Sequence, residues 1–158
     1  GKLSMPTNTH ELILERILAA PVENLWRCWT EPTLLEQWFC PQPWYVTDAV
    51  IDLRPGGEFS TVMHGPAGEQ FPTAGVFLAL EPRRRLVTTD AFLPGWVPSE
   101  RAFMTTEVRF ARIAADKTQY TAIARHWTAE AKAEHEAMGF HDGWGKASEQ
   151  LAALATSL

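Results

Sequence analysis

Positive charge is in short supply: 14 Lys and Arg stand against 19 Asp and Glu, for a formal net charge of −5 at pH 7. The one basic cluster, Arg83-Arg84-Arg85, follows Pro82 and reads as a solvated turn. Phosphate binding leaves a clear basic footprint, so nucleic acid is not an expected partner. Cysteine is equally scarce. Cys28 and Cys40 fall in no C-x-x-C or Cys/His ligand spacing, which excludes a disulfide framework and leaves two reduced thiols. Nothing approaches the roughly 18 to 20 consecutive apolar residues of a membrane span, and no basic, then apolar leader opens the chain. The expectation is a soluble protein of the cytoplasm. No GxSxG elbow, Walker A loop, GxGxxG or HExxH occurs, so neither metal nor cofactor is expected.

What is present suits one domain. The chain has 158 residues, 46% of them hydrophobic, and a chain of this size buries roughly 70% of its unfolded surface, enough for a core without staples. Residues 1–4, before Met5, read as a tag remnant; 1–10 are expected to be a flexible N-terminus and 11–158 the domain. A short apolar-rich strand, ELILERIL, runs to Leu18. Pro21 then opens a helix over 21–29, in which Val22, Leu25, Trp26 and Trp29 recur at helical spacing, and a second short helix spans 33–38. Six strands follow, over 44–53, 58–64, 70–80, 86–92, 102–113 and 118–127. Short turns such as Arg54-Pro55-Gly56-Gly57 separate them and imply an antiparallel meander. Over 129–158, Ala133, Ala137, Phe140, Trp144, Ala147, Leu151, Leu154 and Leu158 recur at steps of four and three, one apolar stripe on a long helix. Gly139, Gly143 and Gly145 within it argue for close packing on a sheet rather than a coiled coil.

Trp38-Phe39, Trp44, Asp52-Leu53-Arg54-Pro55-Gly56-Gly57, Gly75-Val76-Phe77, Leu86 and Gly139-Phe140-x-x-Gly143-Trp144 with Leu151 and Leu154, in this order, carry a resemblance. The chain resembles the activator of heat-shock protein 90 ATPase homologue-like family, a branch of the START-like, polyketide cyclase-like SRPBCC superfamily, over residues 12–154. The resemblance implies an α+β helix-grip fold: an antiparallel sheet around a long C-terminal helix, two short helices after the first strand, and an apolar pocket between sheet and helix. It also implies three kinds of work. One is binding a hydrophobic or amphipathic small molecule, another is a protein-interaction or chaperone-accessory role in stress response, and the third is cyclase- or hydratase-like chemistry.

Candidate pocket residues are Trp44, Phe77, Phe92, Trp96, His126, Phe140 and Trp144, each of which is either packing or ligand lining on the sequence alone. His126 shares parity with Tyr120, Ala122 and Ala124 and so faces the core, as a hydrogen-bonded strand-end residue, a pocket contact or a base. His135 and His141 are expected at the surface. Glu107, opposite in parity to Val108 and Phe110, is expected to be solvated. The apolar stretch 92–98, rich in Pro and Gly, suits a lid or a homodimer contact. The glycines of 52–57 lead into a strand rather than a helix, so they read as a hairpin and not as a phosphate cradle.

Overall fold

The computed structural model describes residues 10–158, so the tag remnant and almost all of the expected flexible N-terminus lie outside the described residues. Strand β1 (Glu11–Leu18) gives way at Pro21 to helix α1 (Val22–Thr30) and then to α2 (Pro32–Leu35). Pro21 is extended at φ −64 and ψ 143 and caps α1, where its missing N–H costs nothing. Strands β2 (Tyr45–Ile51), β3 (Glu58–His64), β4 (Gln70–Glu81) and β5 (Arg85–Thr89) follow, then a small hairpin of β6 (Phe92–Leu93) and β7 (Val97–Pro98). Strands β8 (Thr105–Ala114) and β9 (Lys117–Arg125) lead into helices α3 (Ala129–Ala137) and α4 (Phe140–Ser157).

Seven strands form one antiparallel sheet in the order β1-β9-β8-β5-β4-β3-β2. The order explains the position of the two short helices. They carry the chain from one sheet edge, β1, to the other, β2, and the meander then returns strand by strand until β9 pairs with β1. One face of the sheet is apolar. Leu12, Leu14, Val108, Phe110, Tyr120, Ala122 and Ala124 alternate along their strands and pack against Leu25, Trp29, Phe140, Leu151 and Ala155 from the helices. At the α1 end this core is closed by rings: Trp29 lies 5.0 Å from Trp38 and 5.6 Å from Phe39, and its indole N–H donates to the Tyr120 hydroxyl at 3.3 Å. No helix among the described residues is long and apolar enough to cross a membrane.

Two elements differ from expectation. The strand read as running to Phe92 ends at Thr89, because the Asp90 carboxylate accepts the backbone N–H groups of Phe103 and Met104 and releases the chain into the β6–β7 hairpin. The C-terminal helix is two helices. Gly139, in the left-handed region at φ 96, breaks it, and the stripe fails on the N-terminal side of the break: Ala133 and Ala137 are exposed. From Phe140 to Leu154 the stripe holds, with Phe140, Ala147 and Leu151 buried and Trp144 and Leu154 half-buried, whereas Leu158, just past the end of α4, is exposed.

Candidate functional site

His126 continues the inner row of β9 one step beyond Ala124 and is 2% exposed. One ring nitrogen, Nδ1, lies 2.9 Å from the Phe103 carbonyl oxygen, and the other, Nε2, lies 2.9 Å from Nδ1 of His135. His135, expected at the surface, is the single buried side chain of α3, and the break at Gly139 is what turns it inward. His141 is exposed and sits 3.2 Å from Glu136. Aromatic rings surround the histidine pair. Phe103 lies 4.8 Å from His126 and 5.1 Å from His135, while Phe140 and Trp144 lie 5.3 and 5.8 Å from His135. Burial first, then proximity to the His126 ring, push the His135 imidazole down to about 4, so it is neutral at pH 7.

The sheet floor at the same end is polar. Thr88 and Thr106 are paired across β5 and β8, and Thr106 faces Ala124 of β9, which puts both hydroxyls on the inner face one row from His126. They are 9% and 7% exposed, and neither hydroxyl has a hydrogen bond among the described residues. The same holds for Nε2 of His135. Ser99 Oγ is the one fully occluded polar side-chain atom without a partner among the described residues, so the two hydroxyls and the imidazole nitrogen all keep a trace of solvent contact. Further along this face Thr61 and Thr73 satisfy each other at 2.8 Å, and Phe71 is left 53% exposed beneath Trp44, which stacks on it at 6.0 Å.

The seven candidate residues therefore fall in four places. His126, Phe140 and Trp144 meet around His135, with Phe140 buried and Trp144 half-buried. Phe77 is wholly buried opposite Thr88, with its ring 5.2 Å from Phe59. Trp44 lies at the open end with Phe71. Phe92 and Trp96 belong to the hairpin, 5.8 Å apart, and the Trp96 indole lies over Gly56, where a Cβ would come within 3.0 Å of it. Beneath Trp96 is a separate open concavity of about 500 Å³ walled by Val50, Asp52, Arg54, Gly56 and Glu58. It is a polar notch at the β2–β3 turn, remote in character from an apolar pocket.

His135, Thr88, Thr106 and Phe103 escaped the sequence reading. Alternation on β8 and β5 would have found the threonines, since they interrupt otherwise apolar inward rows; nothing in α3 marks His135.

On the opposite sheet face Glu107, expected to be solvated, is 4% exposed. Its parity is as expected, outward, but three arginines roof it: Arg85 and Arg109 reach Oε2 at 2.8 and 2.7 Å, and Arg125 reaches Oε1 at 2.6 Å. Burial pushes the carboxyl up, and the hydrogen bonds from Arg109, Arg125 and Arg85 outweigh it, bringing it down to about 2.

Among solved structures, a protein from Nitrosomonas europaea is 42% identical, with a TM-score of 0.91 over 96% of this chain and 97% of its own. A protein from Mycobacterium smegmatis is 25% identical, with a TM-score of 0.78 over 100% and 98%. The solution structure of an AHSA1-like protein from Aeromonas hydrophila, 19% identical with a TM-score of 0.70 over 93% and 92%, shares the fold. No curated protein matches. Residues 19–156 match the family described as activator of Hsp90 ATPase homolog 1-like protein, and with its seven-stranded antiparallel sheet and C-terminal helix the chain belongs to that family and has its helix-grip fold.

Proposed function

We propose that the chain binds a small hydrophobic or amphipathic molecule in the crevice between the inner sheet face and helices α3 and α4. One observation carries this reading: Thr88 Oγ1 and Thr106 Oγ1 on the inner sheet face, and His135 Nε2 on the helix side beside His126, lack partners among the described residues, on residues that are over nine-tenths buried. Each keeps a trace of solvent contact, so water meets it in the empty protein, and a ligand that displaces this water can supply the hydrogen bond in its place. Phe77, Phe140 and Trp144 supply apolar wall beside them.

Cyclase- or hydratase-like proton transfer is disfavoured. His126 is paired with a second imidazole rather than a carboxylate, and an imidazole held near 4 is a weak base at pH 7. A protein-interaction role, the chaperone-accessory kind that the family description brings to mind, rests on a different place, the β6–β7 hairpin, where Trp96 and Val97 are each 52% exposed.

Native mass spectrometry of the purified protein, beside its denatured mass, tests the binding reading. A small molecule retained in the folded state and lost on unfolding supports it, and identifies the chemical class. A clean folded mass, with no rise in Tm across lipids, aromatics and polyketides, overturns it in favour of the hairpin as an interaction surface.

A further inference from the structure

The two histidines and one carbonyl oxygen form a chain whose proton positions are dictated by chemistry. A carbonyl oxygen only accepts, so His126 Nδ1, 2.9 Å from Phe103 O, carries a proton and donates it. A second proton would make His126 a buried imidazolium whose polar contacts are a carbonyl oxygen and another imidazole, with no carboxylate among the described residues to offset the charge, so Nε2 is a lone pair and the atom facing it at 2.9 Å, His135 Nδ1, is the donor. His135 is neutral at pH 7, so its second nitrogen, Nε2, is a lone pair as well. Hydrogen-bond polarity therefore runs one way, from His135 through His126 to the Phe103 carbonyl, and the chain begins at an acceptor, His135 Nε2, with no partner among the described residues. His135 is 7% exposed, with the rings of Phe103, Phe140 and Trp144 around its own, so few water molecules compete for that lone pair.

We infer that His135 Nε2 is the polar anchor of the ligand and that the ligand is a neutral hydrogen-bond donor, an aromatic or alicyclic alcohol, whose O–H points at this nitrogen. This rests on the ligand-binding reading above. A methyl ether of the same skeleton leaves the lone pair unpaired, and a carboxylate sets its own lone pairs against it; both are rejected relative to the alcohol. The rings of Phe103, Phe140 and Trp144 about His135 suit an aromatic or alicyclic body on the ligand. His126 is a positioning residue: it touches the ligand nowhere in this scheme and holds the tautomer of His135.

The probes are 2-naphthol, 2-methoxynaphthalene and 2-naphthoate, titrated at pH 7 by isothermal calorimetry against the protein and its His135→Phe and His126→Phe variants. Wild type is expected to bind naphthol about fivefold to tenfold more tightly than the ether, the yield of one net hydrogen bond, and naphthoate more weakly than either. His135→Phe is expected to keep naphthalene binding and lose the preference. His126→Phe is expected to weaken the preference through a mixed tautomer, visible in long-range ¹⁵N–¹H spectra of the imidazoles, where wild-type His135 shows a proton on Nδ1 and none on Nε2. Equal binding of the three probes overturns the anchor and leaves the binding site standing. A proton on His135 Nε2 in wild type also overturns the anchor, whatever the affinities. Absence of binding by every probe, with the tautomer as stated, overturns the binding reading and the anchor with it.

Discussion

Replacing Glu107 by Gln tests whether the carboxylate beneath three arginines stabilises the fold or merely decorates a strand. The folded carboxyl sits at about 2 against an ordinary 4.5. That difference corresponds to ~3 kcal/mol at 1.36 kcal/mol per unit of pKa. The roof is not dry, since the Arg85, Arg109 and Arg125 side chains are 38%, 54% and 25% exposed, so solvent screening reduces the figure. We take ~2 kcal/mol as the net loss, between an exposed pair and a fully buried one. For a chain of this length the loss appears as a fall of ~4–8 °C in Tm, or as a lower urea midpoint at unchanged slope. The pH dependence supplies the sign. A depressed folded pKa contributes stability that is complete above 4.5 and is lost as pH falls through about 2, so wild type and Glu107→Gln converge over that window. A loss below ~0.5 kcal/mol at pH 7, or a gap that stays constant as the carboxyl is protonated, refutes the reasoning and returns Glu107 to the solvated surface.

Three further outcomes are expected. His135 has linkage of the same sign in a higher window: its folded pKa of about 4 lies below the ordinary 6.5, so the unfolded chain takes up a proton that the folded one refuses, and stability falls as pH drops from 6.5 to about 4. Urea midpoints at pH 7 and pH 5 should differ by less in His135→Phe than in wild type, and parallel profiles refute this. Gly57→Ala drives a Cβ into the Asp52 carbonyl and Gly75→Ala drives one into that of Thr89, whereas Gly68 has nothing within 4 Å. Thermal melts should show Gly57→Ala and Gly75→Ala losing more than ~2 kcal/mol, and Gly68→Ala only the ~1 kcal/mol of its positive φ. Cys28 and Cys40 are buried, and burial pushes both thiols up to about 11, so neither should react with a thiol reagent at pH 8 until urea unfolds the chain. Reaction of either in the native state would show that part of the helical layer opens.

The parts of this fold that were legible in the sequence are those written in local chemistry. Pro21 marks the start of α1 because its fixed φ suits a first helical turn, and Arg54-Pro55-Gly56-Gly57 marks the β2–β3 turn because Gly56 takes φ 81. His126 was placed inward correctly because its parity follows Ala122 and Ala124 along one strand. The failures share a cause: they depend on what a different element brings. Glu107 was given the right face and the wrong environment, since its three arginines come from β5, β8 and β9 and their meeting is a matter of register, which spacing along one strand does not contain. Trp96 was grouped with the helix-side aromatics because it is apolar, yet the hairpin that carries it is directed over Gly56 by the Asp90 turn. His135 lay within a polar, alanine-rich helix, AEAKAEHEA, where no apolar stripe marks an inward face.

Gly139 ties the last of these points to the site. Read as a packing glycine in one continuous helix, it kept Ala133 and Ala137 on the buried stripe; in the left-handed region at φ 96 it ends α3, and the rotation of that helix puts His135 where an alanine would have been. A Cβ at Gly139 would have nothing within 4 Å, so Gly139→Ala meets no clash and its cost is conformational alone. That cost is ~1–2 kcal/mol if the backbone keeps its shape. The chain has an alternative, which is to straighten through residue 139, and this would bring Ala137 inward and carry His135 away from His126. The two responses are separable without solving a structure. A Tm lowered by a few degrees with the His135 tautomer and the His126 Nε2···His135 Nδ1 contact retained in imidazole NMR means that packing of α3 on β1 holds the break and glycine only eases it. Loss of that contact with little loss of stability means that the glycine itself aims the histidine, and that the crevice depends on one φ angle. We expect the first result, because α3 is anchored at its other end by the Thr128 hydroxyl, which accepts the Ala131 N–H at 3.0 Å, and by the buried imidazole pair itself. The second result would refute that anchoring.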